Sequence, residues 1–133
     1  AATRYGADYV AVVAPHVQPF AMIESRAGLA AVAEIAAVDG LAGLYVGTSD
    51  LSLDLGFGPR FDPARPEMAA ALTRIEDAAR QQGKIPAIHV VEPGHVAVVA
   101  AMGYRHILLA NDFRLLLQGA GLALDALRAA VGR

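Results

Sequence analysis

Four short apolar runs set the rhythm of this chain. Residues 20–23 (Phe-Ala-Met-Ile), 44–46 (Leu-Tyr-Val), 85–91 and 106–109 are compact and dense in aliphatic or aromatic side chains. Runs of this kind predict buried strands. Between them, apolar residues recur at helical spacing: Leu29, Val32 and Ile35 within 27–38, Met68, Leu72, Ile75 and Ala79 within 66–82, and Val96, Val99 and Ala100 within 93–103. Gly40, Gly83 and Gly103 stand where these helices should stop, and Pro93 where one should start. A further helix over about residues 8–16, capped by Asp8, precedes the first strand. A last helical stretch begins at Asn111 or Asp112, is interrupted by Gly119 and Gly121, and resumes through Leu124, Leu127 and Val131. Residues 50–66 carry Gly56, Gly58, Pro59, Pro63 and Pro66 and are expected to form a stiff, irregular loop. Residues 1–6 read as the tail of an earlier element.

The order is one helix followed by β-α-β-α-β-α-β-α. Such alternation implies an α/β fold with a parallel sheet and right-handed crossovers. Two architectures fit: a small doubly wound sheet, or half of a TIM (β/α)8 barrel, since a whole barrel needs about 250 residues. No Gly-x-Gly-x-x-Gly turn follows any strand, which disfavours dinucleotide binding.

Composition narrows the function classes. With 133 residues, 56% hydrophobic and 18% charged, the chain is globular and long enough for one core. A net charge of −2 without a Lys/Arg run gives no footprint for nucleic acid or an anionic membrane. Cysteine is absent, which excludes disulfides, thiolate metal sites and cysteine nucleophiles, and fits a cytoplasmic setting. No secretory signal pattern is visible, and no apolar run reaches the roughly 18 residues of a membrane span.

Two carboxylates carry the candidate chemistry. Glu24 follows the first apolar run and Asp50 follows the second, after Gly47-Thr48-Ser49. In a parallel α/β sheet the strand C-termini share one face, where ligands bind. Two acids delivered there can share one hard cation such as Mg²⁺. The local alternative is that both are N-caps or first-turn acids of the following helices.

The segments Ile23-Glu24-Ser25-Arg26, 34–47, Asp50-Leu51-Ser52 and Leu55-Gly56, followed by Gly83-Lys84 through Pro93, 101–104 and Asn111-Asp112, resemble the HpcH/HpaI aldolase family of the aldolase/citrate lyase group. The resemblance covers nearly the whole chain. It implies that residues 1–133 form a single partial domain, the C-terminal half of a (β/α)8 barrel, with a divalent metal (Mg²⁺, Mn²⁺ or Co²⁺) as cofactor. It further implies reversible cleavage of 2-oxo-4-hydroxy acids to pyruvate and an aldehyde. By motif match Glu24 and Asp50 become metal ligands, the backbone N–H groups of Ser49 and Asp50 hold the substrate carboxylate, and Gly47 permits close approach. The family's arginine and general base belong to the N-terminal half, which this chain does not contain, so its catalytic residues are expected outside it. The chain starts on Ala1 rather than Met, in keeping with a fragment.

Other residues divide between chemistry and structure. His89 is a substrate-binding candidate at the barrel mouth, or a buried, hydrogen-bonded histidine. His95 is expected to be exposed, His16 to end a helix, and His106 to be structural. Lys84, the only lysine, falls at the N-terminal side of a strand, so a Schiff-base route is disfavoured. Arg4 and Arg26 lie nearest the site in sequence, and Arg26 could pair with a carboxylate. The loop to Pro66 could close over substrate, although Arg60, Asp62 and Arg65 also suit plain loop solvation. The resemblance implies that the apolar last helix packs on a neighbouring subunit, giving a homo-oligomer. A citrate-lyase-β-like or malyl-CoA-type lyase, and a noncatalytic metal-binding or assembly fragment, are the competing readings.

Overall fold

The computed structural model describes Gly6 and residues 8–132. Residues 1–5, with the reading of residues 1–6 as a tail and the Arg4 candidate, fall outside the described residues, apart from Gly6. The chain opens with helix α1 (Tyr9–Val13) and a 3-10 turn (Ala14–His16). Strand β1 (Phe20–Ile23), helices α2 (Arg26–Ala30) and α3 (Val32–Ala36), β2 (Gly43–Val46) and α4 (Thr48–Asp54) follow. Then come α5 (Pro66–Gln81), β3 (Ile85–Val90), α6 (Gly94–Ala101), β4 (His106–Leu109) and α7 (Asp112–Ala130).

The four strands form one parallel sheet in the order β1-β2-β3-β4. That order decides between the two architectures. A doubly wound sheet reverses direction at a switch point and covers both faces. Here the order never reverses, so right-handed crossovers put the helices on one face, as in a barrel wall.

The register sorts the strand residues into two rows. Ile23, Val46 and Ile88 lie in line, with Leu44 and Val90 on the same face; all five are fully buried against Val32, Leu72 and Ile75 of the helices. Burying each such side chain stabilises the fold by about 1.5–3 kcal/mol. The opposite row holds Met22, Tyr45, Ala87 and His106, with His89 and Leu108 beside them. This row is open: Met22 is 55% and Leu108 39% exposed, and only the short Ala87 is buried.

Four local expectations need correction. The helix expected over 27–38 is two pieces, because Ala31 leaves helical geometry with ψ near 10°. The irregular segment expected from Asp50 begins only after α4, so the loop is shorter than expected. Gly119 and Gly121 do not interrupt α7; each glycine costs about 1 kcal/mol in a helix interior, too little to break a 19-residue helix. Asp8 makes no side-chain capping bond to α1.

Candidate functional site

Glu24 and Asp50 reach the same place by different local routes. Ser25, not Glu24, caps α2, its hydroxyl accepting the Gly28 N–H at 3.1 Å. Glu24 is thus the last residue before the cap, and the local N-cap reading does not apply to it. Asp50 does sit in the first turn of α4, where a negative charge favours the helix dipole. Gly47 joins the two. Its N–H donates to the Ile23 carbonyl at 3.1 Å, extending the β1–β2 ladder by one residue and setting Gly47 against Glu24. A Cβ on Gly47 would lie 2.9 Å from both Cβ and Oε2 of Glu24 and 3.3 Å from Met22 Sδ. The Glu24 carboxylate therefore rests in the space a side chain at 47 would fill.

Both carboxylates line one open depression, together with Ser25, Leu53 and Asp54. Among the described residues, neither Glu24 nor Asp50 forms an ion pair or accepts a side-chain hydrogen bond. Asp54, which sequence reasoning missed, is already engaged: its Oδ2 accepts the Arg26 N–H, and its carbonyl accepts Arg26 Nε. Arg26 is thereby tied to the end of α4. No group of three or more His, Cys, Asp or Glu gathers among the described residues. The chain thus offers two free hard oxygen ligands with open space beside them, which suits a cation that keeps water or substrate in its other positions.

The remaining candidates fall as follows. Ser49 is exposed at the start of α4, whose first-turn N–H groups have no intrahelical acceptor. Thr48 is buried, and its hydroxyl donates to the His89 carbonyl at 3.1 Å, pinning α4 to β3. The His89 ring lies in the open row of the sheet, half-buried, with Nε2 3.2 Å from the Ala110 carbonyl. It lines neither the carboxylate depression nor the larger cavity described next. Lys84 donates to the Val38 and Leu41 carbonyls at 3.2 and 2.7 Å, at the N-terminal end of the sheet. His106 stacks obliquely on Phe20, 5.7 Å between ring centres, at that same end.

A second cavity of about 700 Å³ is lined by Thr48 and Ser49, the residues just before Asp50. Its walls include the loop after α4, Val91, Glu92, His95 and Arg114. His95 corrects an expectation: it is half-buried and packed edge-on against Phe61, 5.5 Å between ring centres. Arg114 was not singled out from sequence, because nothing in 111–117 foretells that the first turn of α7 faces a loop 50 residues earlier.

The profile of the HpcH/HpaI aldolase/citrate lyase family matches residues 3–115. A hydroxypyruvate/pyruvate aldolase of Rhizorhabdus wittichii is 36% identical over 113 residues, covering 85% of this chain and 45% of the relative. A 4-hydroxy-2-oxo-heptane-1,7-dioate aldolase of Salmonella paratyphi A is 30% identical over 113 residues, covering 85% and 42%. An HpcH/HpaI aldolase/citrate lyase family protein from Burkholderia cenocepacia J2315 superposes with a TM-score of 0.80 at 29% identity, covering 96% of this chain and 49% of that one. A citrate lyase beta subunit from M. tuberculosis, solved with oxaloacetate and magnesium, superposes with a TM-score of 0.59 at 25% identity, covering 77% and 50%. The chain spans about half the length of the curated relatives it matches. Sequence, sheet order and shape agree, and the chain belongs to the HpcH/HpaI aldolase/citrate lyase family, a family of carbon–carbon lyases.

Proposed function

We propose that this chain is the C-terminal half of a divalent-metal-dependent aldolase that cleaves 2-oxo-4-hydroxy acids to pyruvate and an aldehyde, with Glu24 and Asp50 as its metal ligands. One observation carries the reading: two carboxylates without other partners among the described residues line a single depression at the strand C-termini, and Gly47, just before Asp50's helix, lacks the side chain that would displace Glu24. The magnesium solved with the citrate lyase beta subunit supports the choice of cation, and the names of the two relatives support the substrate class.

A bound Mg²⁺, Mn²⁺ or Co²⁺ supplies Lewis-acid stabilisation of the enolate charge that C3–C4 cleavage leaves on pyruvate. The chain's own groups do the rest of its share. Glu24 and Asp50 hold the ion through hard oxygen donors. The Ser49 and Asp50 N–H groups, lacking intrahelical acceptors, receive the substrate carboxylate. Gly47 keeps Glu24 close to the backbone. The proton-transferring base and the arginine that faces the enolate oxygen come from the strands that complete the barrel. As the family resemblance implies, we place the enzyme in the cytoplasm as a homo-oligomer. Helix α7 buries none of its side chains in this chain, and Phe113, Leu116 and Leu122 are 64, 70 and 74% exposed, which suits a subunit contact.

The test is pyruvate release from a 4-hydroxy-2-oxo acid by the barrel completed with its N-terminal half. Turnover should require Mg²⁺ or Mn²⁺ and be abolished by Glu24→Gln or Asp50→Asn. Turnover that survives thorough chelation would overturn the reading.

A further inference from the structure

The larger cavity carries positive charge that the proposed metal chemistry does not use. Arg60, Arg65 and Arg114 line it with the His95 ring. Among the described residues none of these three arginines forms an ion pair; the ion pairs there belong to Arg80 and Arg128. Two acids also line the cavity, Asp62 and Glu92. Asp62 is partly engaged, because its Oδ1 accepts the Ala64 N–H at 2.9 Å within its own loop. The Arg65 guanidinium lies over the Phe57 ring, 4.6 Å from its centre, a cation–π contact that uses none of its N–H donors. Ser49 lines this cavity and Asp50, the next residue in the first turn of α4, lines the carboxylate depression.

We propose that this cavity receives the anionic end of the substrate, a phosphate monoester or carboxylate carried on the carbonyl fragment away from the reacting carbon. The proposal rests on the aldolase reading and deepens it by assigning Arg60, Arg65 and Arg114 to acceptor specificity. The argument is electrostatic and geometric. Three guanidinium groups that only solvated a loop would gain by splaying apart into water, whereas these face one concave space. The three arginines outnumber the two acids of the lining, Asp62 and Glu92, and guanidinium forks match carboxylate and phosphate oxygens in pairs. The two spaces are lined by consecutive residues, Ser49 and Asp50, which is what the proposal uses to put the two ends of one substrate in them. All three arginines are solvent-exposed, so the attraction falls as salt rises.

The experiment is a calorimetric or NMR titration of the whole chain, stripped of metal, with glycolaldehyde phosphate, succinic semialdehyde and uncharged glycolaldehyde. At low salt one or both anionic probes should bind and glycolaldehyde should not; the tighter of the two identifies the preferred anion. The double substitution Arg60→Gln with Arg114→Gln should weaken binding at least tenfold, whereas Arg105→Gln, an exposed arginine outside the cavity, should leave it unchanged. Circular dichroism establishes that each variant is folded. Equal binding of glycolaldehyde, no binding of either anion, or an equal loss in Arg105→Gln would overturn the proposal. Because no metal is present, these outcomes are separate from failure of the aldolase reading, which a parallel Mn²⁺ titration of the same chain reports.

Discussion

Replacing Gly47 with alanine isolates the contact on which the carboxylate site depends. Gly47 has φ −81° and ψ 85°, a backbone that alanine also adopts, so the substitution introduces no left-handed strain. What it introduces is a methyl group 2.9 Å from Glu24 Cβ and 2.9 Å from Glu24 Oε2. Carbon atoms prefer separations of about 3.5–4.0 Å, so the side chain must retreat by at least about half an ångström. Cβ cannot retreat without its backbone, and the displacement grows along the side chain. Mg²⁺ accepts oxygen ligands only near 2.0–2.1 Å, so a shift of that size would detach one of the two proposed ligands. Loss of a supporting contact around a metal ligand lowers affinity about 10–100-fold, or roughly 1.4–2.7 kcal/mol. Stability should fall as well, because moving Glu24 Cβ moves the end of β1, and overpacking of that kind costs about 1–3 kcal/mol. The gain of about 0.4–1 kcal/mol that Gly→Ala brings through the unfolded chain offsets only part of it. The assay is Mn²⁺ titration by calorimetry alongside thermal unfolding. Weakened metal binding in a variant that still unfolds cooperatively, with a modestly lowered Tm, supports the reasoning. Undiminished Mn²⁺ affinity in the folded variant refutes it.

Three other perturbations test the fold. Gly43→Ala would drive a methyl into the Ile85 carbonyl and the Phe20 ring; overpacking against backbone should cost about 3 kcal/mol in chemical denaturation, and a loss under 1 kcal/mol would contradict this packing. Tyr104 is buried, and its hydroxyl donates to the Leu72 carbonyl at 2.9 Å, so Tyr104→Phe should cost about 1 kcal/mol at neutral pH. Burial first, and the charge of Glu76 second, raise that phenol above its ordinary 10.0; its contribution is therefore complete below pH 10 and lost as pH climbs above it. Denaturation measured against pH should show a shallower alkaline decline in Tyr104→Phe, with Tyr45, also raised by burial, leaving a residual slope. Ala110 holds φ 58°, the only positive φ outside glycine among the described residues, so Ala110→Gly should be neutral or stabilising by up to about 1 kcal/mol, and a clear loss in thermal unfolding would refute the strain.

Much of this architecture was legible because strand burial and helical spacing are local signals. Strands at Phe20–Ile23 and His106–Leu109 fall where the apolar runs end, and the other two differ by one residue at one end. Helix α4 was not legible for a physical reason. Thr48, Ser49, Asp50 and Ser52 are weak helix formers, and Leu51, Leu53 and Leu55 alternate rather than recur at helical spacing. Tertiary contact holds the helix instead, through the Thr48 hydroxyl on β3 and burial of Leu51. The Glu24–Asp50 pairing was readable because both follow strands whose ends a parallel sheet aligns. The cavity was not: its arginines come from a loop and from α7, and only folding brings positions 60, 65 and 114 together.

The one-sidedness of the sheet bears on what this chain does by itself. Its helix-facing row is sealed, with Ile23, Leu44, Val46, Ile88 and Val90 all at 0% exposure. Its other row presents Met22 and Leu108 to solvent, and β1 and β4 each pair on one side only. The carboxylates stand at the C-terminal rim of the packed row's own strands, so the elements that hold them are rigid whether or not the other row is covered. Cation binding should therefore persist in the isolated chain. Turnover has a different requirement, because a developing enolate needs a dry, low-dielectric surrounding and donors placed on more than one side. An open half-wall supplies one side. Mn²⁺ affinity close to that of a completed barrel, with pyruvate release depressed by several orders of magnitude, is the signature this division predicts. Equal turnover in the isolated chain and the completed barrel would mean that the reacting groups all lie within these 133 residues, contrary to the proposed division.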